Sequence, residues 1–444
     1  MRLLVDARNL SLAQGTGIAT YARNICRANK EEGSHVDILY EFFPARGVSA
    51  LQEELAFYDP RYTSLSPSLD RLLTMAFVAR QMAYSRPVKA RAVRLQGFVD
   101  TRPLRAQLPV FDRIVTAPLV YRKAWAYFWI TRRFLPVVCD PMPEVAHWTT
   151  PHPIYMPGAR NVYTVHDVIP LKLPYTTLNQ TQRFLDLIRG SVRHADQIIS
   201  ISETTTRDLL AVAPEAEGKI THTSQSIVLP DAFLSPDVTG QRALHNLFGL
   251  EHRKFFLFYA AIEPKKNLGR LIEAFLSSNS RFPLIIVGKK GWLYENELKP
   301  LGYLATRAQL SGDTIVASRV VQLDYLSSSL LMQLVKAARA VLFPSLYEGF
   351  GLPILEAMTC GTPVMTSNTG AMAEIARPGT ALLVDPLNLR EMTEAIERLA
   401  NDDELCARLS TAGLARAEDF GWDRYRATIM GAYERSLATP KAAS

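Results

Sequence analysis

The chain has 444 residues, with 50 Lys and Arg against 43 Asp and Glu, and a formal charge of +7 at pH 7. This length predicts two or three domains and excludes a small module held together by disulfides or a metal. A hydrophobic share of 48% and a charged share of 21% are typical of a packed protein and exclude a disordered chain.

The N-terminal half begins with an α/β pattern. Residues 2–6 (RLLVD) predict a buried strand, followed by a turn containing Gly15 and Gly17 and by an amphipathic helix over 18–29. Two later β-rich runs, each ending in a polar cluster, are also predicted to be strands: 161–165 and 197–201. Ser202 is well placed to cap the helix that follows.

No targeting or disulfide signal accompanies this pattern. The first residues lack the long apolar core of a secretory signal, and no uncharged apolar stretch approaches the roughly 18–20 residues that span a bilayer. The cysteines contain no C-x-x-C pair, which excludes a zinc ribbon or dithiol motif; they are Cys26, Cys139, Cys360 and Cys406. We therefore expect a cytoplasmic protein without a transmembrane anchor.

The region 40–135 shows helical pieces and prolines but no clear strand, and it carries the excess charge. Residues 71–133 contain thirteen Lys and Arg but only two acidic residues, a net +11, so the rest of the chain sums to −4. Aromatic residues are interleaved, so the window is either a solvated face, a nucleic-acid surface or a peripheral contact with an anionic membrane. We favour the membrane on the cytoplasmic face, and no nucleic acid.

A second α/β series follows the proline-containing stretch 229–236. Its predicted strands are 255–262, 284–287, 340–343, 362–365 and 381–384, with a helix over 268–275. Strands that alternate with helices indicate parallel sheets covered on both faces. The sequence thus predicts two facing Rossmann-like domains, over 1–240 and 241–420, followed by a terminal segment over 421–444 that contains an amphipathic helix.

The most informative motif runs from Phe343 to Glu356 (FPSLYEGFGLPILE). A predicted strand ends at Phe343, a glycine-rich turn follows, and a helix begins near Leu352, with proline at a position where its missing N–H is tolerated. Free N–H groups and the helix dipole make such a turn an anion site. Glu348 and Glu356 can accept hydrogen bonds from sugar and ribose hydroxyls.

This motif, with 360–364 and Gly370-x-x-x-Glu374, closely resembles the Glu-x7-Glu donor motif of the retaining glycosyl transferase family 4, also called glycosyl transferases group 1. The segment 261–267 resembles its phosphate-binding segment and 287–292 its next glycine loop. Alanines 260 and 261 stand where many relatives have an arginine. Gly15-Thr-Gly17 and Thr164-Val-His166-Asp167 resemble its N-terminal loops, whereas 40–135 is not covered. The resemblance implies a GT-B fold with the active site in the cleft between two domains. It also implies that the C-terminal helix, over 421–444, crosses back onto the N-terminal domain.

The resemblance also implies the site. Glu356 is expected to bind the ribose of a nucleotide-diphosphate sugar. Glu348 and the backbone of the glycine-rich turn are expected to bind the hexose. The lysines are expected to neutralise the diphosphate. The expected donor-binding residues are Gly17, Lys265, Lys266, Glu348, Phe350, Gly351, Leu352 and Glu356. The expected catalytic residues are His166, Glu348 and Lys266, and His166 is expected to lie near the transferred sugar.

Two features bear on mechanism. The chain contains no Asp-x-Asp triplet, so we expect no metal and no other cofactor. The family resemblance implies retention of configuration by front-face attack. We therefore expect transfer of a hexose, with mannose from GDP-mannose as the first candidate, to a lipid-linked or polysaccharide acceptor in bacterial surface glycan synthesis. The alternatives are a soluble acceptor or a non-catalytic nucleotide-sugar-binding or membrane scaffold protein.

Overall fold

The computed structural model describes residues 1–9, 17–41, 49–58, 67–102, 108–178, 180–229, 238–311, 319–323 and 326–438. The side chains of 67, 69, 238–241, 243 and 303–311 lie outside the description. Among the described residues, no helix is both long and apolar enough to cross a membrane.

The N-terminal half is built on an eight-stranded sheet. Its half of the chain contains the strands β1 (Arg2–Asp6), β2 (His35–Tyr40), β3 (Val88–Lys89), β4 (Arg91–Ala92), β5 (Arg113–Thr116), β6 (Leu135–Val138), β7 (Val145–Trp148), β8 (Ile154–Tyr155), β9 (Arg160–Val165), β10 (Gln197–Ser200) and β11 (Ile220–His222). Its helices are α1 (Gly17–Glu31), α2 (Ala50–Tyr58), α3 (Pro67–Tyr84), α4 (Val120–Thr131), α5 (Ile169–Lys172), α6 (Thr181–His194) and α7 (Glu203–Val212). The strand order is β11-β10-β9-β7-β1-β2-β5-β4, and only the β4–β5 pair is antiparallel.

The C-terminal half is built on a six-stranded parallel sheet in the order β14-β13-β12-β15-β16-β17. Its strands are β12 (Phe256–Tyr259), β13 (Leu284–Val287), β14 (Val320–Leu323), β15 (Ala340–Phe343), β16 (Val364–Ser367) and β17 (Leu382–Val384). Its helices are α8 (Val238–Phe248), α9 (Leu268–Ser277), α10 (Tyr294–Ser311), α11 (Ser328–Ala337), α12 (Leu352–Thr359), α13 (Gly370–Ile375), α14 (Leu389–Asn401), α15 (Asp403–Glu418) and α16 (Trp422–Ala438).

Both sheets reverse their strand order at one point, between β1 and β7 in the first and between β12 and β15 in the second. Chain segments leave such neighbouring strands in opposite directions, so a crevice forms beyond their carboxyl ends, where α/β proteins bind ligands. The strands β12 and β15 are fully buried apolar runs, which fixes these carboxyl ends rigidly.

The prediction that 40–135 lacks clear strands is wrong. Arg113–Thr116 forms β5, which pairs in parallel with β2 in the main sheet. The predicted strand over 255–262 is also too long, because the strand ends at Tyr259 and the loop that follows carries Lys265 and Lys266. The strand predicted over 362–365 begins two residues later, at Val364.

The last helix, α16, leaves the C-terminal half and packs on the N-terminal sheet. The Tyr433 hydroxyl lies 2.6 Å from His147 Nδ1, and Arg435 donates to Thr221 Oγ1 at 2.9 Å. Trp422, at the start of this helix, donates to Glu31 at 2.7 Å. The predicted domain boundary near 240 adjoins residues 230–237, which lie outside the described residues, and it remains a prediction.

Candidate active site

Two loops meet at the carboxyl edge of the second sheet, one after β12 and one after β15. The backbone N–H of Leu346 donates to the Lys265 carbonyl at 2.8 Å, which ties the loops together. Lys266 Nζ lies 2.5 Å from Glu348 Oε1, and the side chains are only 14% and 10% exposed. The sequence predicted both residues as site residues, and the structure brings them together as a buried ion pair.

The charge of Glu348 depends on its two lysine neighbours. Burial alone would raise the pKa of the Glu348 carboxyl, but Lys266 and Lys265 hold this pKa below its usual value. Nearby Glu263 behaves in the opposite way, because burial raises its pKa despite the same two lysines. The site therefore holds an ionised carboxylate beside two ammonium groups.

The glycine-rich turn leads from β15 into α12. Gly351 caps the helix with a φ of 116°, a conformation that residues with a side chain rarely adopt. A Cβ at Gly349 would lie 2.0 Å from the His166 carbonyl oxygen, so only glycine lets the two halves approach this closely. The Phe350 side chain packs edge-on against Phe420 in the core. Only the backbone of Phe350 is therefore available to a ligand.

Glu356 lies on the first turns of α12 and contacts the end of β12. The Tyr259 hydroxyl lies 2.8 Å from Glu356 Oε2 and 2.9 Å from the Pro353 carbonyl. Burial raises the pKa of Glu356, and the hydrogen bond from Tyr259 partly offsets this. The sequence analysis missed Tyr259. Its position was a usable signal, because it places a hydroxyl group at the carboxyl end of an apolar strand, where α/β proteins bind ligands.

His166 follows β9 on the facing half. Its Nε2 lies 2.7 Å from the Thr149 carbonyl oxygen, and the Tyr21 ring meets it edge-on with centroids 5.0 Å apart. Burial lowers the pKa of His166, against a hydrogen bond to Thr149 and the charges of Asp167 and Asp6. A carbonyl only accepts hydrogen bonds, so the proton of the neutral ring lies on Nε2.

The first helix also reaches the donor turn. A Cβ at Gly17, the first residue of α1, would lie 3.2 Å from Leu352 Cδ1. The structure thus brings Gly17 to Leu352, two of the predicted donor-binding residues from different halves. Gly15 and Thr16 of the same loop lie outside the described residues.

Glu374 joins the two halves beside this site. From α13 it accepts hydrogen bonds from the backbone N–H groups of Glu203 at 2.8 Å and Thr204 at 2.6 Å, at the start of α7. Tyr347 bonds to Asp208 on the same helix. A carboxylate is stabilised at a helix N-terminus. The sequence motif contained Glu374, but its partner 170 residues away could not be read from it.

Metal ligands can be assessed only for part of the chain. Within the described ranges, no group of three or more His, Cys, Asp and Glu side chains could hold a metal ion. Lysines and helix termini occupy the carboxyl edge of the second sheet instead. Metal independence stays a prediction.

Two facing Rossmann-type sheets with a site between them define the GT-B class of glycosyltransferases. Solved structures superpose over nearly the whole chain. Anabaena HepE, in complex with UDP-glucose, aligns with a TM-score of 0.64 at 16% identity, covering 97% of this chain and 98% of that one. The expected fold class is confirmed.

Residues 243–416 match the family model described as glycosyl transferases group 1, so the chain carries a domain of this family and is a glycosyltransferase. Over 280 residues it is 27% identical to O-antigen chain mannosyltransferase B of Escherichia coli, covering 62% of this chain and 70% of that protein. It is 26% identical to the Escherichia coli serotype-specific mannosyltransferase WbdA over 59% of this chain, but spans only 32% of WbdA.

Proposed function

We propose that this glycosyltransferase moves a mannosyl residue from GDP-mannose to a lipid-linked or polysaccharide acceptor, with retention of configuration and without a metal. The observation that carries the donor site is the buried Lys266–Glu348 pair between two loops at the strand-order reversal of the second sheet. The choice of mannose is supported by the names of the relatives, which are mannosyltransferases of O-antigen synthesis.

In this proposal the donor diphosphate binds near Lys265, Lys266 and the start of α12. A leaving diphosphate gains negative charge as the glycosidic bond breaks, so fixed ammonium groups stabilise the transition state more than the ground state. Glu356 accepts hydrogen bonds from the ribose hydroxyls, and Tyr259 orients its carboxylate. Glu348 and the backbone of Phe350 and Gly351 hold the hexose.

The facing half supplies His166 beside the transferred sugar. With its proton fixed on Nε2, the ring is a hydrogen-bond acceptor at Nδ1 and not an acid. The acceptor hydroxyl then loses its proton to the departing phosphate on the same face of the sugar, which retains configuration. Chelation of divalent ions with EDTA should leave transfer unchanged, and loss of activity restored by Mg²⁺ would contradict metal independence.

The acceptor side of the proposal includes a membrane. On α3, Leu72, Met75 and Met82 are 66%, 51% and 54% exposed, at spacings of three and seven residues that place them along one helix face. Arg71 and Arg80 are exposed on the same helix. Exposed apolar side chains among arginines suit a peripheral contact with an anionic cytoplasmic membrane surface.

The donor and stereochemistry are tested by incubating the protein with GDP-mannose, UDP-glucose and other nucleotide sugars, with and without a lipid-linked glycan extract. Mannosyl transfer with an α-product from GDP-mannose supports the proposal. Transfer from UDP-sugars alone would move the donor assignment to uridine nucleotides, and an inverted product would refute retention. No turnover of any nucleotide sugar would favour the non-catalytic scaffold alternative.

The membrane contact is tested by flotation with phosphatidylglycerol vesicles. Leu72→Glu should reduce binding, because it places a negative charge in the exposed apolar face. Leu247→Glu is the matched control, since Leu247 is 65% exposed on α8 in the other half. Absence of wild-type binding, or equal loss in both variants, would refute the contact and favour a soluble acceptor.

A further inference from the structure

Asp6 is a buried carboxylate that the proposed donor chemistry does not use. It is the last residue of β1, and its side chain is fully buried. Burying a carboxylate is unfavourable unless hydrogen bonds compensate for the lost water, so the groups that Asp6 binds indicate why it is there. One oxygen accepts a short hydrogen bond from the backbone N–H of Thr149. The other, Oδ1, has no hydrogen-bond partner within the described part of the chain, with His152 Nε2 3.5 Å away.

The Thr149 backbone connects Asp6 to the active site. Thr149 follows β7, and β1 and β7 are the two strands at which the N-terminal sheet reverses its order. The Thr149 N–H is held by Asp6, and the Thr149 carbonyl accepts the Nε2 proton of His166 at 2.7 Å. The N–H and the carbonyl that make these two hydrogen bonds lie in the two peptide groups on either side of the Thr149 Cα. Asp6 therefore fixes where the Thr149 carbonyl points.

The direction of this carbonyl determines the chemistry of His166. While it faces Nε2, the neutral ring must carry its proton there, and Nδ1 keeps a lone pair. The Tyr21 ring stands at 85° to the His166 ring and limits its rotation, and the Tyr21 hydroxyl lies 2.8 Å from Thr164 Oγ1. A carbonyl that turned away would leave the ring free to place its proton on Nδ1.

We infer that Asp6 is a positioning residue that, through the Thr149 backbone, holds His166 in the tautomer whose Nδ1 accepts a hydrogen bond from a sugar hydroxyl. This inference rests on the proposed function for the role of the sugar. Asp6 itself touches no reacting atom. The other tautomer would present an N–H group to this hydroxyl in place of a hydrogen-bond acceptor. The contact that orients the sugar for transfer would then be lost while the proposed diphosphate and ribose contacts remain, so we expect turnover to fall more than donor binding.

The tautomer is measured first in the wild-type protein, from proton–nitrogen correlation spectra of chain labelled on the histidine nitrogens, with His166→Gln to assign the signal. The inference predicts a proton on Nε2 of His166 near neutral pH. A proton on Nδ1 would overturn it without any variant. This measurement needs no nucleotide sugar, so it remains decisive if the proposed donor is wrong.

The kinetic test compares Asp6→Ala with Asp6→Asn, which retains an acceptor oxygen for the Thr149 N–H. We expect Asp6→Ala to lower kcat about 10- to 100-fold with little change in the donor KM, and Asp6→Asn to restore most of it. In a His166→Ala background, Asp6→Ala should change kcat by less than about twofold, because the residue through which it acts is gone.

Asp37 provides the matched control, because it is a buried carboxylate in the same sheet. It pairs with Arg113 at 2.7 Å, so Asp37→Asn lowers stability without reaching His166, and its kcat should stay near that of wild type. An equal loss in Asp6→Asn and Asp6→Ala, or an undiminished loss in the His166→Ala background, would refute the positioning role.

Discussion

Replacing Lys266 by methionine separates the stability of the donor site from its chemistry. Methionine keeps most of the length of the side chain but removes the ammonium group, whose Nζ lies 5.0 Å from the centroid of the Phe343 ring. Glu348, whose side chain is 10% exposed, then lacks its ion-pair partner at 2.5 Å. Breaking a buried pair in this way lowers the free energy of unfolding by roughly 3–5 kcal/mol.

Differential scanning calorimetry measures this loss. In a domain of about 150–250 residues, the change corresponds to a Tm lower by roughly 6–20 °C. Adding Glu348→Gln to Lys266→Met removes the unpaired charge and should restore most of the Tm. Transfer should stay abolished in the double variant, because the groups proposed to hold the hexose and neutralise the diphosphate are both gone.

The matched control is Lys254→Met, which removes a lysine from an exposed pair with Glu251 that is also 2.5 Å long. Solvent screens that pair, so we expect no measurable change in Tm. An unchanged Tm in Lys266→Met would refute the buried pair. Wild-type transfer by the double variant would refute the donor site, even if the stability changes follow the expectation.

Two further predictions concern the facing half and its junction. Glu374→Ala should open the cleft, because it removes the acceptor for the N–H groups of Glu203 and Thr204. Solution scattering should then give a larger radius of gyration, and kcat should fall. An unchanged radius of gyration would contradict a role for Glu374 in holding the two halves together. Burial lowers the pKa of His147 to about 3. The ordinary pKa of histidine is about 6.5, so between about pH 6.5 and 3 the unfolded chain binds a proton at His147 that the folded chain does not bind. The free energy of unfolding therefore decreases as pH falls through this range, by about 2 kcal/mol at pH 5. His147→Gln should flatten this fall in chemical denaturation, and identical pH dependence would contradict it.

The second half of the fold is readable from the sequence because its signals are local. The apolar run Ala340–Phe343, the glycines after it and the proline at 353 predict a strand, a turn and a helix start, and the structure has each of them. A continuous apolar strand of this kind is specified by its own composition, since it is buried on both faces. The GT-B architecture followed from the family resemblance.

The first half was less readable because its decisive contacts are long-range. Arg113–Thr116 (RIVT) begins with a charged residue and ends with a polar one, and it becomes a strand through its pairing with β2. Tyr121, Tyr127 and Phe128, within the basic window, turned out to be buried against the sheet, whereas α3 exposes its apolar face. Composition gives the residue types of such a window but not which of them face solvent.

The candidate site likewise contains one motif that is local in the sequence and several contacts that are not. The Glu-x7-Glu spacing lies within one segment and could be read directly, but its partners could not. Tyr259 reaches Glu356 from a strand 97 positions away, and Lys266 reaches Glu348 across 82 positions. These contacts exist because β12 and β15 are neighbours in the sheet, an order that no local pattern encodes.

Isothermal titration calorimetry of wild type and Glu356→Ala with GDP-mannose and UDP-glucose tests the proposed donor site. We expect the wild-type protein to bind a nucleotide sugar without added metal. Glu356→Ala should weaken this binding by about 10-fold or more, because the ribose hydroxyls lose the carboxyl oxygens that accept their hydrogen bonds. Unchanged affinity in Glu356→Ala, or no binding of either nucleotide sugar to the wild type, would contradict the donor site.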